Sequence, residues 1–204
     1  MTATSGAAAV PEPVRAALAA ASGPVAVIRV AEHSGLASVM PGELGVYTGD
    51  GVVGTLLGAA VQDEVVALGA AAASRRVAQQ RAVVVSESAA LGAGLGCAGR
   101  ALLVAHPLTA AAAHLLADGL AVGAPVLLAG GAEDGAKTVL VASGWALEHR
   151  DGTLDHGSDP RVDDAVLQRA RELLKGAVSA TDRMQVAVST TVLLDLWVPV
   201  ARMV

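Results

Sequence analysis

The stretch Gly92-Ala93-Gly94-Leu95-Gly96-Cys97-Ala98-Gly99 sets four glycines around the only cysteine in the chain. It lies between two apolar runs, Ala82-Val83-Val84-Val85 and Ala101-Leu102-Leu103-Val104. Glycine at this density implies tight turns, positive φ, or close approach of the backbone to another group. Gly94-Leu-Gly-Cys-Ala-Gly99 formally matches G-x-G-x-x-G. A dinucleotide fingerprint must end a strand and open a helix, with an acid about 20 residues on. Here several residues separate the preceding strand from the glycines. The segment that follows, Arg100 to His106, itself reads as a strand, so a dinucleotide fold is disfavoured.

Outward from the glycines, strands and helices mix without strict alternation, which predicts a mixed α+β domain: a mixed sheet with flanking helices. Val25 to Val30 is a β-branched run of strand length. Leu44 to Thr48 and Val52 to Leu56 flank Gly49-Asp50-Gly51, a hairpin signature. Gly58 to about Ser74 reads as a helix, with Asp63 and Glu64 early and Arg75 late, as the helix dipole favours. Strands are expected at 82–86, 101–105, 125–129 and 138–142, and a third short one near Trp145 to Glu148. Thr109 is the expected N-cap of a helix to Ala121. Ser158-Asp159-Pro160 opens another, stopped by Gly176. Met184 to Val188 and Thr191 to Val198 form a final strand pair. Residues 1–13 read as a disordered lead-in and 14–204 as a single domain, with a candidate subdomain seam near Pro107.

Composition limits the function classes. Of 204 residues 53% are hydrophobic, with no Phe and only Tyr47, Trp145 and Trp197 aromatic. The core must be built from Val, Leu and Ala. A net charge of −5 argues against a nucleic-acid face, and so few aromatics leave no stacking platform for single strands. One cysteine excludes an internal disulfide and fits a reducing, cytoplasmic setting. No signal-peptide pattern opens the chain. The apolar stretch 110–132 is broken by His114, Asp118 and Pro125, so no membrane span is expected. His149, Asp151, Asp155 and His156 share a polar stretch without a zinc-ligand spacing. On residue chemistry a lone cysteine is usually a small buried hydrophobe. The backbone donors around Cys97, with Arg100 beside it, make the loop a candidate anion site instead.

Two spaced segments together resemble a family. The first runs from Met40-Pro41-Gly42 through the Asp50-Gly51 hairpin to Val53-Gly54-Thr55-Leu56-Leu57-Gly58-Ala59-Ala60-Val61-Gln62. The second is Gly94-Leu95-Gly96-Cys97-Ala98-Gly99, then an apolar strand and Pro107. In this order they resemble the N-terminal domain of the xanthine dehydrogenase accessory and carbon monoxide dehydrogenase maturation (XdhC/CoxI) family. Its second motif, G-L-G-C-G-G, is matched at five of six positions. The resemblance implies a noncatalytic maturation factor that binds molybdenum cofactor (molybdopterin) and delivers it to a molybdenum hydroxylase. Gly54, Gly58, Gly94, Gly96, Cys97 and Gly99 would line the cofactor site, with no resident metal ligand. The implied partners are the hydroxylase client and a cysteine desulfurase or Rossmann-domain family member; separately, the alanine-rich faces and Val/Leu terminal strands suggest a homodimer. Family members often continue into a Rossmann domain, and this sequence reads as the accessory domain standing alone. The first motif departs from the pattern: Ala60 stands where the family has cysteine and Gln62 where it has glutamate. The upstream Gly-Ser-x-Pro reads Gly35-Leu36-Ala37-Ser38. Two other readings stay open, a degenerate paralogue acting as a dimerising scaffold, and an enzyme using Cys97 as nucleophile or binding a nucleotide at the glycines.

Overall fold

A computed structural model describes residues 10–39, 43–131, 138–143, 160–176, 179–187 and 190–198. Their strands form two sheets. The first has the order β3-β2-β1-β5-β4, from β1 (Val25–Gly35), β2 (Leu44–Tyr47), β3 (Val52–Val53), β4 (Gln79–Val85) and β5 (Gly99–Leu108). The second has the order β7-β6-β9-β8, from β6 (Val126–Gly131), β7 (Thr138–Ser143), β8 (Ala180–Ala187) and β9 (Thr190–Trp197). Around them lie α1 (Glu12–Ala19), α2 (Gln62–Arg75), α3 (Glu87–Gly92), α4 (Ala110–Ala121) and α5 (Pro160–Leu174).

The expected α+β class is what the chain adopts. The expected mixing of strand directions is not: each described pairing is antiparallel. Parallel neighbours need a crossover that returns to the same end of the sheet. Here α2 and α4 instead lead into strands that run against their neighbours.

Side-chain alternation sorts the core into three layers. One face of the first sheet carries Ala26, Ile28, Val30, Leu103 and Ala105 and packs against α2 and α3. Its other face carries Val25, Val27 and Leu108. It meets α1, α4 and the inner residues of the second sheet, Val126, Leu128 and Trp197. The outer face of the second sheet, through Leu127, Ala129, Leu194 and Leu196, covers Val166 and Ala170 of α5. In α2 the approach is close enough to need Gly69: a Cβ there would lie 2.6 Å from the Tyr47 Cβ.

Several boundaries differ from the sequence reading. β1 continues past a bulge between Val30 and Glu32 to Gly35, pairing with β5 back to Gly99. The strand thus runs beyond the Val25–Val30 stretch that its sequence marks. Residues 87–92, between β4 and the following glycines, form the short helix α3, capped by Ser86, whose hydroxyl accepts from the Ala89 N–H at 3.3 Å. Pro107 lies inside β5 rather than at a break. β4 ends opposite Ala105, so beyond it β5 has an open side where a missing N–H removes no ladder bond. Thr109 caps α4 as expected, accepting from the Ala112 N–H at 3.2 Å. The strand near Trp145, the His149–His156 stretch and the Met40-Pro41-Gly42 turn lie outside the described residues.

Candidate functional site

The two segments that carry the resemblance meet at one end of the first sheet. A Cβ on Gly58 would lie 2.4 Å from the Ala93 carbonyl oxygen, so the turn after β3 is pressed onto the end of α3. A Cβ on Gly35 would lie 2.4 Å from the Ala98 carbonyl oxygen. One on Gly96 would sit 3.8 Å from Ala37 Cβ and Ser38 Oγ. Three loops thus converge: 35–39 after β1, 57–60 before α2, and 93–98 before β5.

Their backbone is unusual. Leu57, Gly58 and Ala59 are successive left-handed residues, with φ of 53°, 57° and 65°. Leu36 across the cluster has φ 54°. An L-residue in this region costs about 1–2 kcal/mol. Among the described residues, three of the four non-glycine residues with positive φ fall here, the fourth being Arg76 at the end of α2. The turn is held by Glu43, whose Oε2 accepts from the Leu57 N–H at 2.9 Å, and by the Leu36 and Leu57 side chains, both fully buried. Strain of this kind persists where surrounding structure over-determines it, and it gathers at ligand clamps.

The six glycine and cysteine positions expected to line a site divide by cause. Gly94 and Gly96 have φ of 71° and 77° and are exposed, and the Cβ position at Gly94 faces open space. Cys97 is exposed, against the buried reading of a lone thiol. Arg100 is exposed too. Gly58 is half-buried behind this loop. Gly99 and Gly54 are packing glycines. A Cβ on Gly99 would meet the Ser34 carbonyl oxygen at 2.3 Å, and one on Gly54 would meet the Leu44 carbonyl oxygen and Val14 Cγ2, both at 2.8 Å. Gly54 sits under α1 and β2, not in the loop cluster. The structural order here is helix, glycine loop, strand, the reverse of a dinucleotide fingerprint. Ala60, where the resembled family has cysteine, is half-buried against the apolar layer that also holds Ala93.

A second polar group lies between the sheets. Arg29 donates through Nε to Asp195 Oδ1 and through Nη2 to Thr181 Oγ1 at 2.6 Å, and Thr181 Oγ1 donates to Asp195 Oδ1 at 2.9 Å. Arg29, Asp195 and His106 are all buried. Burial lowers the His106 pKa to about 4, against the pull of Asp195 and with the push of Arg29, so its ring is neutral at pH 7. A small cavity beside this group is lined by Arg29, Leu44, Leu116, Leu128, Asp195 and Trp197, among others. The sequence reading passed over Arg29 and Asp195. Their signal was present: single charges of opposite sign inside Val25–Val30 and Thr191–Val198, both otherwise suited to burial.

Among the described residues no cluster of three His, Cys, Asp or Glu side chains could hold a metal ion, and no helix is long and apolar enough to cross a membrane.

No sequence profile of a known family matches the chain, and no curated protein does. Among solved structures the chain is similar to a xanthine dehydrogenase from Bacillus halodurans. The identity is 16% and the TM-score 0.47, over 72% of this chain and 49% of the other. The chain therefore spans about half the length of that protein.

Proposed function

We propose that the three converging loops are the working end of a maturation factor, which receives molybdenum cofactor as cargo and passes it to a molybdenum hydroxylase. The observation that supports this is the contact of Gly58 with Ala93, which joins the two segments that resemble the XdhC/CoxI family beside an exposed thiol. The donor set suits a large anion with soft atoms. Gly94 and Gly96 leave their backbone open to a ligand, and Cys97 presents sulfur from the same loop. Gly94, Gly96 and Cys97 would touch the cargo, and the left-handed turn at 57–59 would hold the opposite wall. Gly54 and Gly99 serve packing and are not contact residues in this reading. The cargo brings a dithiolene and a phosphate, and backbone N–H groups in glycine loops suit such anions.

The test is copurification. Protein from a host that makes the cofactor should release a fluorescent pterin on oxidation. Cys97→Ala should lower the yield severalfold at unchanged fold. Wild-type protein free of pterin would sink the reading.

A second reading, a scaffold that pairs with a client or an intact family member, draws on Ala60 and Gln62, since the first motif lacks its thiol and acid. β4 is also an edge strand with Val84 exposed, and Leu91 is exposed on α3. Sedimentation of the isolated chain as a monomer, with or without a hydroxylase, would count against it. Use of Cys97 as a nucleophile would instead show as rapid alkylation at neutral pH.

A further inference from the structure

The face of the first sheet turned toward the second carries Val25, Val27 and Arg29 on β1 and Val104, His106 and Leu108 on β5. Facing them are Val126 and Leu128 on β6 and Leu193, Asp195 and Trp197 on β9. Into this apolar layer the chain has placed one cation, one anion and one imidazole. Asp195 Oδ1 takes the bonds from both Arg29 and Thr181. Its Oδ2 is 3.8 Å from His106 Nε2, too long for a hydrogen bond. Both ring nitrogens of His106 are buried and unpartnered.

We propose that Arg29, Asp195, Thr181 and His106 form a proton-sensitive latch between the two sheets, in which His106 takes up a proton only when the sheets part. In the closed arrangement the imidazole can neither hydrate nor reach a partner. A charge placed on it would lie beside Arg29 as well as Asp195. Opening hydrates the ring and lets it charge, so protons favour the open arrangement.

The neighbourhood leaves His106 as the sensor. On β1 the charged residue facing it is Arg29, and on β9 it is Asp195. β6 and β7 carry no ionisable residue between Val126 and Gly131 or between Thr138 and Ser143. On β4, Arg81 is exposed and lies opposite Leu103, on the other face of the sheet. On α4, Asp118 is exposed, and His114 is bonded to the Ala21 carbonyl at 3.0 Å. On β8, Asp182 is engaged by Arg169 of α5.

Burial lowers the closed-state pKa from 6.5 to about 4. Between those values the open state binds the proton and the closed state does not. The opening constant should therefore rise by up to about tenfold per pH unit as pH falls, on the order of 100-fold between pH 7 and pH 4.

The experiment places a thiol between the sheets, Val126→Cys in a Cys97→Ala background. Its labelling rate is measured from pH 7 to pH 4, corrected for the thiolate fraction. The expected result is a rise in opening of about 100-fold, reduced to less than about threefold by adding His106→Gln. A control thiol on the far side of the first sheet, Ala72→Cys, should show no such rise. A flat profile for Val126→Cys, an undiminished slope with His106→Gln, or an equal rise at Ala72→Cys would each overturn the latch. Should His106→Gln fail to fold, the His106 ring titration by NMR in the unaltered protein decides. A midpoint well below 6.5 together with the acid-dependent labelling of Val126→Cys supports the latch, and a midpoint near 6.5 overturns it.

Discussion

The loop end and the inter-sheet node solve opposite problems. At the loop end the backbone is strained and the side chains are small: Leu36, Leu57 and Ala59 are left-handed, and Gly94 and Gly96 face solvent. At the node the backbone is regular strand and the side chains are charged in a dry layer, Arg29 on Asp195 with His106 unpartnered. Conformational strain can be held at a surface if buried leucines anchor it. Charge can be held inside only if each ion has a partner. The loop end thus leaves backbone exposed at Gly94 and Gly96. The node is built to hold two sheets in one arrangement.

The largest expected effect tests the node. Asp195→Ala leaves Arg29 buried and unpaired and should destabilise by about 3–5 kcal/mol in urea denaturation. The double replacement Arg29→Met with Asp195→Leu should recover most of that loss, because it removes both desolvated charges. A double variant as weak as the single one would show that the layer needs the ion pair for more than charge balance.

Acid comes next. His106 has its folded pKa depressed to about 4 from 6.5, so the neutral ring is stable above pH 6.5. Between pH 6.5 and 4 the unfolded chain binds the proton first, and stability falls with pH. The total is about 3 kcal/mol at 1.36 kcal/mol per unit. The pH dependence of chemical denaturation should carry this limb, and His106→Gln should remove it.

Glycines at the loop end should separate by cause. Gly99→Ala drives a Cβ into the Ser34 carbonyl and should cost about 2–3 kcal/mol by disturbing the β1–β5 pairing. Gly94→Ala meets no atom and should cost only about 1 kcal/mol, from its φ of 71°. Equal losses would mean that the packing distinction between them is wrong. Smallest is a gain: Ala59→Gly relieves a left-handed alanine and should stabilise by up to about 1 kcal/mol in thermal denaturation. A loss there would show that the Ala59 methyl contributes more by its contacts than its φ takes away.

Much of the frame was legible in local sequence. Thr109 marked α4, Pro160 marked α5, and Asp50-Gly51 marked the hairpin between β2 and β3, because caps and turns act over three or four residues. α3 was hidden by the glycines that follow it, although Ser86 was its cap. The strand extensions of β1 to Gly35 and of β5 to Leu108 were hidden because each is fixed by its partner, not by its own pattern. Of the six expected site positions, the sequence marked each as glycine or cysteine without saying why. The structure separates them: Gly94 and Gly96 turn the chain, Gly54, Gly58 and Gly99 admit a neighbour's backbone, and Cys97 is exposed.

By itself the sequence determined the α+β class, the aromatic-poor core and the glycine loop ahead of β5, since propensity, turn chemistry and composition are properties of short segments. Only the tertiary structure decided that Gly58 lies on Ala93, and that Arg29 pairs with an aspartate 166 positions away. Both depend on how sheets and loops pack, and no local pattern encodes the distance between residues that meet only when the chain has closed.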